Sequence, residues 1–179
     1  MPSLTLLRHA KSSWNDPVTR DFDRPLNARG QKAARTIGQH LRADHIAFDH
    51  VVASPAVRAI ETLDQFYTGY GQKLEPVWDR RIYLASAATL LDVLHGLPAQ
   101  AQQALMVGHN PGLEDLVLLL VAESHDNALR NEVELKYPTA ALAVLEWDGG
   151  WAEATEGAAR LTRFVRPRDL DPALGPDDD

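Results

Sequence analysis

The strongest constraint on the fold is a pattern that occurs three times in the chain. A short apolar run stops abruptly at a polar or turn-forming residue, and helical spacing follows. Leu4-Thr5-Leu6-Leu7 runs into Arg8-His9-Ala10-Lys11, Phe48 to Ala53 stops at Ser54-Pro55, and Ala104-Leu105-Met106-Val107-Gly108 stops at His109-Asn110-Pro111. Continuous apolar runs of this length read as strands buried on both faces. After the first, Asn27 is placed to cap a helix carrying Ala33, Ala34, Ile37 and Leu41, although Gly30 and Gly38 weaken it by up to ~1 kcal/mol each. After the second, Ser54 and Pro55 predict a capped helix start, followed by Val57, Ile60, Leu63 and Phe66. After the third, Leu113 to Val121 is apolar on most faces. Such alternation predicts a three-layer α/β/α sandwich with a mostly parallel central sheet.

The segments between and beyond these units are less regular. Residues 12–25 are rich in turn formers and read as a loop. Leu74 to Trp78 is extended, and a helix from about Ser86 to His95 is ended by Gly96. Thr139 to Trp147 has strand composition, with Gly149-Gly150 as a turn from which Trp151 onward would pair back. Leu161 to Val165 alternates like a further strand. Trp78, Trp147 and Trp151 are expected in packing roles, and Trp14 in the loop as either a lid contact or an anchor. From Pro167 the composition turns to Pro and Asp. The chain of 179 residues is therefore expected to form one domain over residues 1–167, with an acidic, disordered tail over 168–179.

Composition removes several classes of function. The chain has no cysteine, which excludes disulfides, thiolate metal sites and cysteine nucleophiles. Five aspartates after Arg168 account for five of the seven net negative charges, so residues 1–168 carry −2. A nearly balanced body argues against a nucleic-acid partner, which needs a basic face. No apolar run approaches the length needed to span a bilayer, and Arg8 comes too early for a signal peptide, so a cytoplasmic location is expected.

Chemistry gathers at the strand ends. Open α/β folds place ligands at the carboxyl edge of the sheet. Arg8-His9 alone is either the solvated end of a strand or an anion site beside a nucleophile. Arg58 falls in the first turn of a helix, where the dipole disfavours a cation unless an anion binds there too. With His109 ending a third strand, Arg8, His9, Arg58 and His109 could all converge on one edge. Two guanidinium forks match phosphoryl oxygens, and two imidazoles supply a nucleophile and a donor.

The motifs that carry these residues resemble those of the histidine phosphatase superfamily, the phosphoglycerate mutase-like proteins. They are Leu7-Arg8-His9-Ala10, Arg24-Pro25-Leu26-Asn27-Ala28-Arg29-Gly30-Gln31, Ser54-Pro55-Ala56-Val57-Arg58-Ala59-Ile60-Glu61-Thr62 and Val107-Gly108-His109-Asn110-Pro111. They occur in family order across roughly residues 4–120. Arg-His-Ala-Lys-Ser and Gly-His-Asn-Pro resemble the branch of the phosphohistidine phosphatase SixA, with Ala10 where the commoner signature has glycine. The resemblance implies a phosphoglycerate mutase-like fold and a phosphatase that needs no metal or other cofactor. It implies His9 as the nucleophile that forms a phosphohistidine intermediate, with Arg8, Arg58 and His109 holding the phosphoryl group. Asn15 aligns with an amide on the phosphate side, against a plain turn role. Asp79 aligns with the proton donor of related enzymes, against a surface carboxylate, with Asp16, Asp21 and Asp23 as rivals.

The gaps between motifs leave little room for the lids of larger relatives after residue 62, which implies an open pocket that admits a phosphorylated side chain. The expected substrate is phosphohistidine on a protein. The alternatives are a small phosphate monoester, or phosphate binding without catalysis, which the intact His9 disfavours. A mutase is disfavoured because an open pocket excludes water poorly.

Overall fold

In the computed structural model, which describes residues 1–15, 17 and 19–176, the first apolar run forms strand β1 (Ser3–Arg8) in the interior of a six-stranded sheet. The other runs become β2 (His50–Ala53) and β4 (Gln103–Gly108), and Val77–Trp78 forms a short edge strand, β3. The sheet is completed by β5 (Leu142–Glu146) and β6 (Arg160–Val165), in the order β3-β2-β4-β1-β5-β6. Pairing is parallel from β3 through β1, and β5 runs antiparallel to both neighbours. The mostly parallel sheet and three-layer architecture are those expected.

Period-two alternation sorts the strand residues onto two cores. Leu4, Leu6, Val52, Ala104 and Met106 face α3 (Ala87–His95), α4 (Gly112–Leu120) and α5 (Ala128–Leu135). Leu7, Val51, Ala53, Leu105 and Val107 face α1 (Ala28–Ala43) and α2 (Val57–Tyr70). Helix α1 starts as the sequence predicts, with the Asn27 side chain accepting from the Gly30 amide. Ser86 caps α3 in the same way, accepting from Thr89.

The glycines inside these helices serve packing. A Cβ on Gly38 would overlap the Phe66 carbonyl oxygen, and one on Gly69 would overlap that of Arg35. The backbones of α1 and α2 therefore touch, and the helix-propensity loss is recovered by close approach.

Several expectations need correction. Ser54 does not cap α2 and Pro55 is not its first residue. The helix begins at Val57 behind Ala56, without a side-chain cap, and the Ser54 Oγ, three residues earlier, accepts from the Ala56 amide and meets His109. Trp151 does not return as a hairpin strand; it starts a short 3-10 turn, and β6 supplies the partner of β5. Helix α5 is not among the elements the sequence predicts; its buried face includes Arg130 beside Val133. Trp78 is 45% exposed on the edge strand rather than packed, whereas Trp147 and Trp151 are buried.

The tail is not disordered over 168–176. Pro167–Leu170 forms α6, residues 172–174 make a 3-10 turn, and Leu174 is buried against the α1/α2 core. Arg29 donates to the Gly175 carbonyl, and Lys32 pairs with Asp171. Residues 177–179 lie outside the described residues. No described helix is long and apolar enough to cross a membrane.

Gly38→Ala should destabilise the protein by about 1–3 kcal/mol through overpacking, despite alanine's better helix propensity. Urea unfolding measures it, and a stabilised variant would show that the helices can separate freely.

Candidate active site

Parallel pairing of β1 with β4 sets the site. Arg8 lies opposite Gly108, and the His9 amide donates to the Gly108 carbonyl at 3.0 Å, so the next residues on both strands are the histidines. Neighbouring strands lie about 4.8 Å apart, and the two imidazole centroids are 5.1 Å apart. Alternation turns both rings to the α2 side, where Arg58 occupies the first turn. Arg58 Nε donates to His9 Nε2 at 3.3 Å. Arg8 points to the other side and donates to the Tyr137 carbonyl at 2.9 Å.

His9 is held by its immediate surroundings. Its Nδ1 donates to the Ala10 carbonyl at 2.7 Å, which puts the ring proton on Nδ1 and the lone pair on Nε2. The Ala10 amide donates to Thr62 Oγ1, whose hydroxyl donates to the Arg58 carbonyl. One threonine thus ties the nucleophile candidate to the helix that carries Arg58. Burial, the neighbouring His109, and then Arg8 and Arg58 hold His9 well below its ordinary pKa, against the opposing pull of the Ala10 hydrogen bond. Burial and then Arg58 lower His109 to about 3, with Arg8 and Arg24 contributing further. Both rings are neutral at pH 7, and His9 keeps a lone pair on Nε2, which accepts from Arg58.

The loop after β1 forms the facing wall. It is pinned at its base by a bridge between Ser12 and Leu26 and by the Leu26 amide, which donates to Glu61. A 3-10 turn at residues 21–23 brings Asp21 over Arg58, which donates from Nη1 to the Asp21 carbonyl and from Nη2 to its carboxylate at 3.0 Å. Arg24 grips the other oxygen of the same carboxylate and donates to Ser12 Oγ. The exposed Trp14 ring lies 3.5 Å from the Arg24 guanidinium carbon. Burial alone would raise the Asp21 pKa, but hydrogen bonds from Tyr83, Arg58 and Arg24 lower it to about 2. A pocket of about 370 Å³ is lined by Arg8, His9, Asp21, Arg24, Arg58 and His109, among others.

The structure therefore brings Arg8, His9, Arg58 and His109 to one pocket, and leaves two candidates out. Asn15 lies in an exposed turn, its amide donating to Ser13 Oγ, and does not line the pocket. Asp79 is also outside it, because its carboxylate is spent on the amide and guanidinium of Arg81. Of its rivals, Asp21 lines the pocket, Asp23 pairs with Arg20, and Asp16 lies outside the described residues. Sequence reasoning gave no site role to Arg24, Tyr83, Ser54 or Thr62. Arg24, Ser54 and Thr62 sat inside the quoted motifs, which was the available signal; Tyr83 had none.

Comparison with known proteins identifies the family. The profile of the histidine phosphatase superfamily (branch 1) matches residues 4–82. An uncharacterized protein of Mycobacterium tuberculosis is 36% identical, over 90% of this chain and 100% of its own. A phosphohistidine phosphatase SixA homolog of Haemophilus influenzae is 30% identical, over 84% of this chain and 92% of its own. A solved structure assigned as a phosphohistidine phosphatase SixA, from Nakamurella multipartitia, superposes with a TM-score of 0.80 at 30% identity. That match covers 93% of this chain and 96% of the other.

The neutral buried histidines fix a sign for acid sensitivity. In the unfolded chain they titrate near 6.5, whereas folded His109 titrates at about 3. Between these values the unfolded chain binds more protons, so stability falls as the pH drops below 6.5. Urea unfolding between about pH 5 and pH 7 should show a shallower fall in His109→Asn than in wild type, by up to about 1.4 kcal/mol per pH unit. Parallel curves would mean that folded His109 takes up its proton as readily as the unfolded chain does.

Proposed function

The chain belongs to the histidine phosphatase superfamily, in its SixA-like branch, and is a phosphatase; on that premise we propose that it removes the phosphoryl group from phosphohistidine on a protein. The single observation that carries the choice of substrate is the state of Asp21, the one carboxylate among the described pocket residues. It is held ionised by two arginines and a tyrosine hydroxyl, with a pKa of about 2. An ester releases an alkoxide and needs a proton donor at the leaving oxygen. Phosphohistidine protonated on its distal ring nitrogen releases a neutral imidazole, whose conjugate acid has a pKa of ~6.5, a far better leaving group.

In this reading His9 Nε2 attacks phosphorus while the bond from phosphorus to the substrate nitrogen breaks. The distal ring nitrogen of the substrate takes a proton from water before the bond breaks, so the imidazole departs neutral. A second water then attacks the phosphohistidine, releasing inorganic phosphate and restoring His9. Arg8, Arg58 and His109 hold the phosphoryl oxygens, with Arg24 beside them. The fixed positive charge of the arginines stabilises the transition state without a metal. Arg58 exchanges the Asp21 carboxylate for phosphoryl oxygens as substrate enters.

Access also supports a side chain on a protein as substrate. At the carboxyl edge only residues 79–86 connect β3 to α3, with Leu84 among them at the pocket rim, so no long insertion covers the pocket from that side. The rim carries the exposed Trp14 and Leu84, at 74% and 56% exposure. This reading includes action in the cytoplasm.

Phosphate release should be assayed on a histidine-phosphorylated protein and on a panel of phosphate esters. Wild type should hydrolyse the phosphohistidine in preference, and His9→Ala should lose at least about a thousandfold. Equal hydrolysis by His9→Ala would remove the covalent route, and turnover of esters alone would reassign the substrate. Binding without turnover of either would leave a phosphate-binding module. Asp79→Asn should keep its rate within about twofold across the pH profile, and a lost limb would restore Asp79 as the acid.

A further inference from the structure

The two pocket histidines have unequal hydrogen-bond inventories. Both nitrogens of His9 have partners, Ala10 and Arg58. In His109, Nε2 lies 2.8 Å from Ser54 Oγ, while Nδ1 is buried with no hydrogen-bond partner among the described residues. Ser54 is fully buried just beyond β2, and its Oγ also accepts from the Ala56 amide at 3.2 Å.

A serine hydroxyl has one hydrogen to donate. If His109 donated from Nε2, Ser54 Oγ would receive two N–H groups. Its own hydrogen would then have no acceptor among the described residues, in a place where unmet polar groups are costly. If the hydroxyl donates to Nε2 instead, the serine is satisfied at both ends. The ring is neutral, so its one proton then sits on Nδ1. We infer that Ser54 is a positioning residue that locks His109 as the Nδ1–H tautomer, making that N–H the donor to a phosphoryl oxygen.

The two rings then share a tautomer and present opposite ends. His9 offers the lone pair of Nε2 to phosphorus, because Ala10 takes its Nδ1 hydrogen. His109 offers the hydrogen of Nδ1 to oxygen, because Ser54 fills its Nε2 lone pair. A reversed His109 would turn a lone pair toward an anion and repel it. The donor role rests on the phosphatase reading; the tautomer does not.

Long-range proton–nitrogen NMR of the ¹⁵N-labelled protein reads the tautomer directly, with His109 assigned from the spectrum of His109→Gln. Wild type should show a protonated Nδ1 and an unprotonated Nε2. Ser54→Ala should shift the proton to Nε2 or mix the two forms, and Ser54→Thr should restore the wild-type pattern. Inorganic phosphate should shift the Nδ1 signal in wild type and lose most of that effect in Ser54→Ala. Turnover in Ser54→Ala should fall by about tenfold to a hundredfold in kcat/KM and recover in Ser54→Thr. A wild-type proton on Nε2, or a tautomer unchanged in Ser54→Ala, overturns the inference. Phosphate that leaves Nδ1 unmoved overturns the donor role. Absence of hydrolysis on every substrate, with the tautomer pattern as stated, counts against the phosphatase reading alone.

Discussion

The parallel ladder between β1 and β4 is the constraint on which the rest depends. Its register ends with Arg8 opposite Gly108, and one more step places His9 beside His109. Interstrand spacing then sets the distance between the imidazoles, and the pleat sets which helix they meet. Slipping the register by one residue would send one ring into the opposite layer. The apolar alternation of Leu4, Leu6 and Leu7 over two cores resists that slip. Core packing therefore fixes active-site geometry.

The second layer of organisation is electrostatic. Arg8, Arg24 and Arg58 converge on one pocket that also holds two histidines. Such a concentration of charge is costly unless something offsets it. Here Asp21 bridges Arg24 and Arg58, and the imidazoles stay neutral. The same neutrality leaves His9 with a lone pair. The charge that would bind a phosphoryl group is thus held ready by a carboxylate from the loop after β1. That loop is anchored at its base through Ser12, Leu26 and Glu61, so the carboxylate returns to the same place.

Long apolar runs and their stops were legible in the sequence because burial on both faces leaves an unbroken signature. Helix α1 was legible through Asn27 and the Ile37–Leu41 spacing. Helix α5 was not, because Arg130 is buried in it by donating to the carbonyls of Leu118 and Val121, which no periodicity reveals. The tail misled because its Pro and Asp content suggests disorder, whereas Leu174 finds a place in the α1/α2 core. Ser54 misled in the opposite sense. Its position suggests a cap, but the helix starts three residues later, and the hydroxyl meets His109 across the sheet edge.

What the sequence by itself determined was the set of strand-end residues Arg8, His9 and His109, with Arg58 in the helix start, and the α/β architecture that makes such ends meet. Local pattern suffices there, since the end of a buried strand and the start of the next helix lie at one sheet edge. Only the tertiary structure decided which carboxylate stands in the pocket. Alignment favours Asp79 with Asp21 as one of its rivals, yet Arg81 takes up the first while Arg24, Arg58 and Tyr83 hold the second. Long-range partners set ionisation and orientation, and those partners come from loops whose course no short-range pattern encodes.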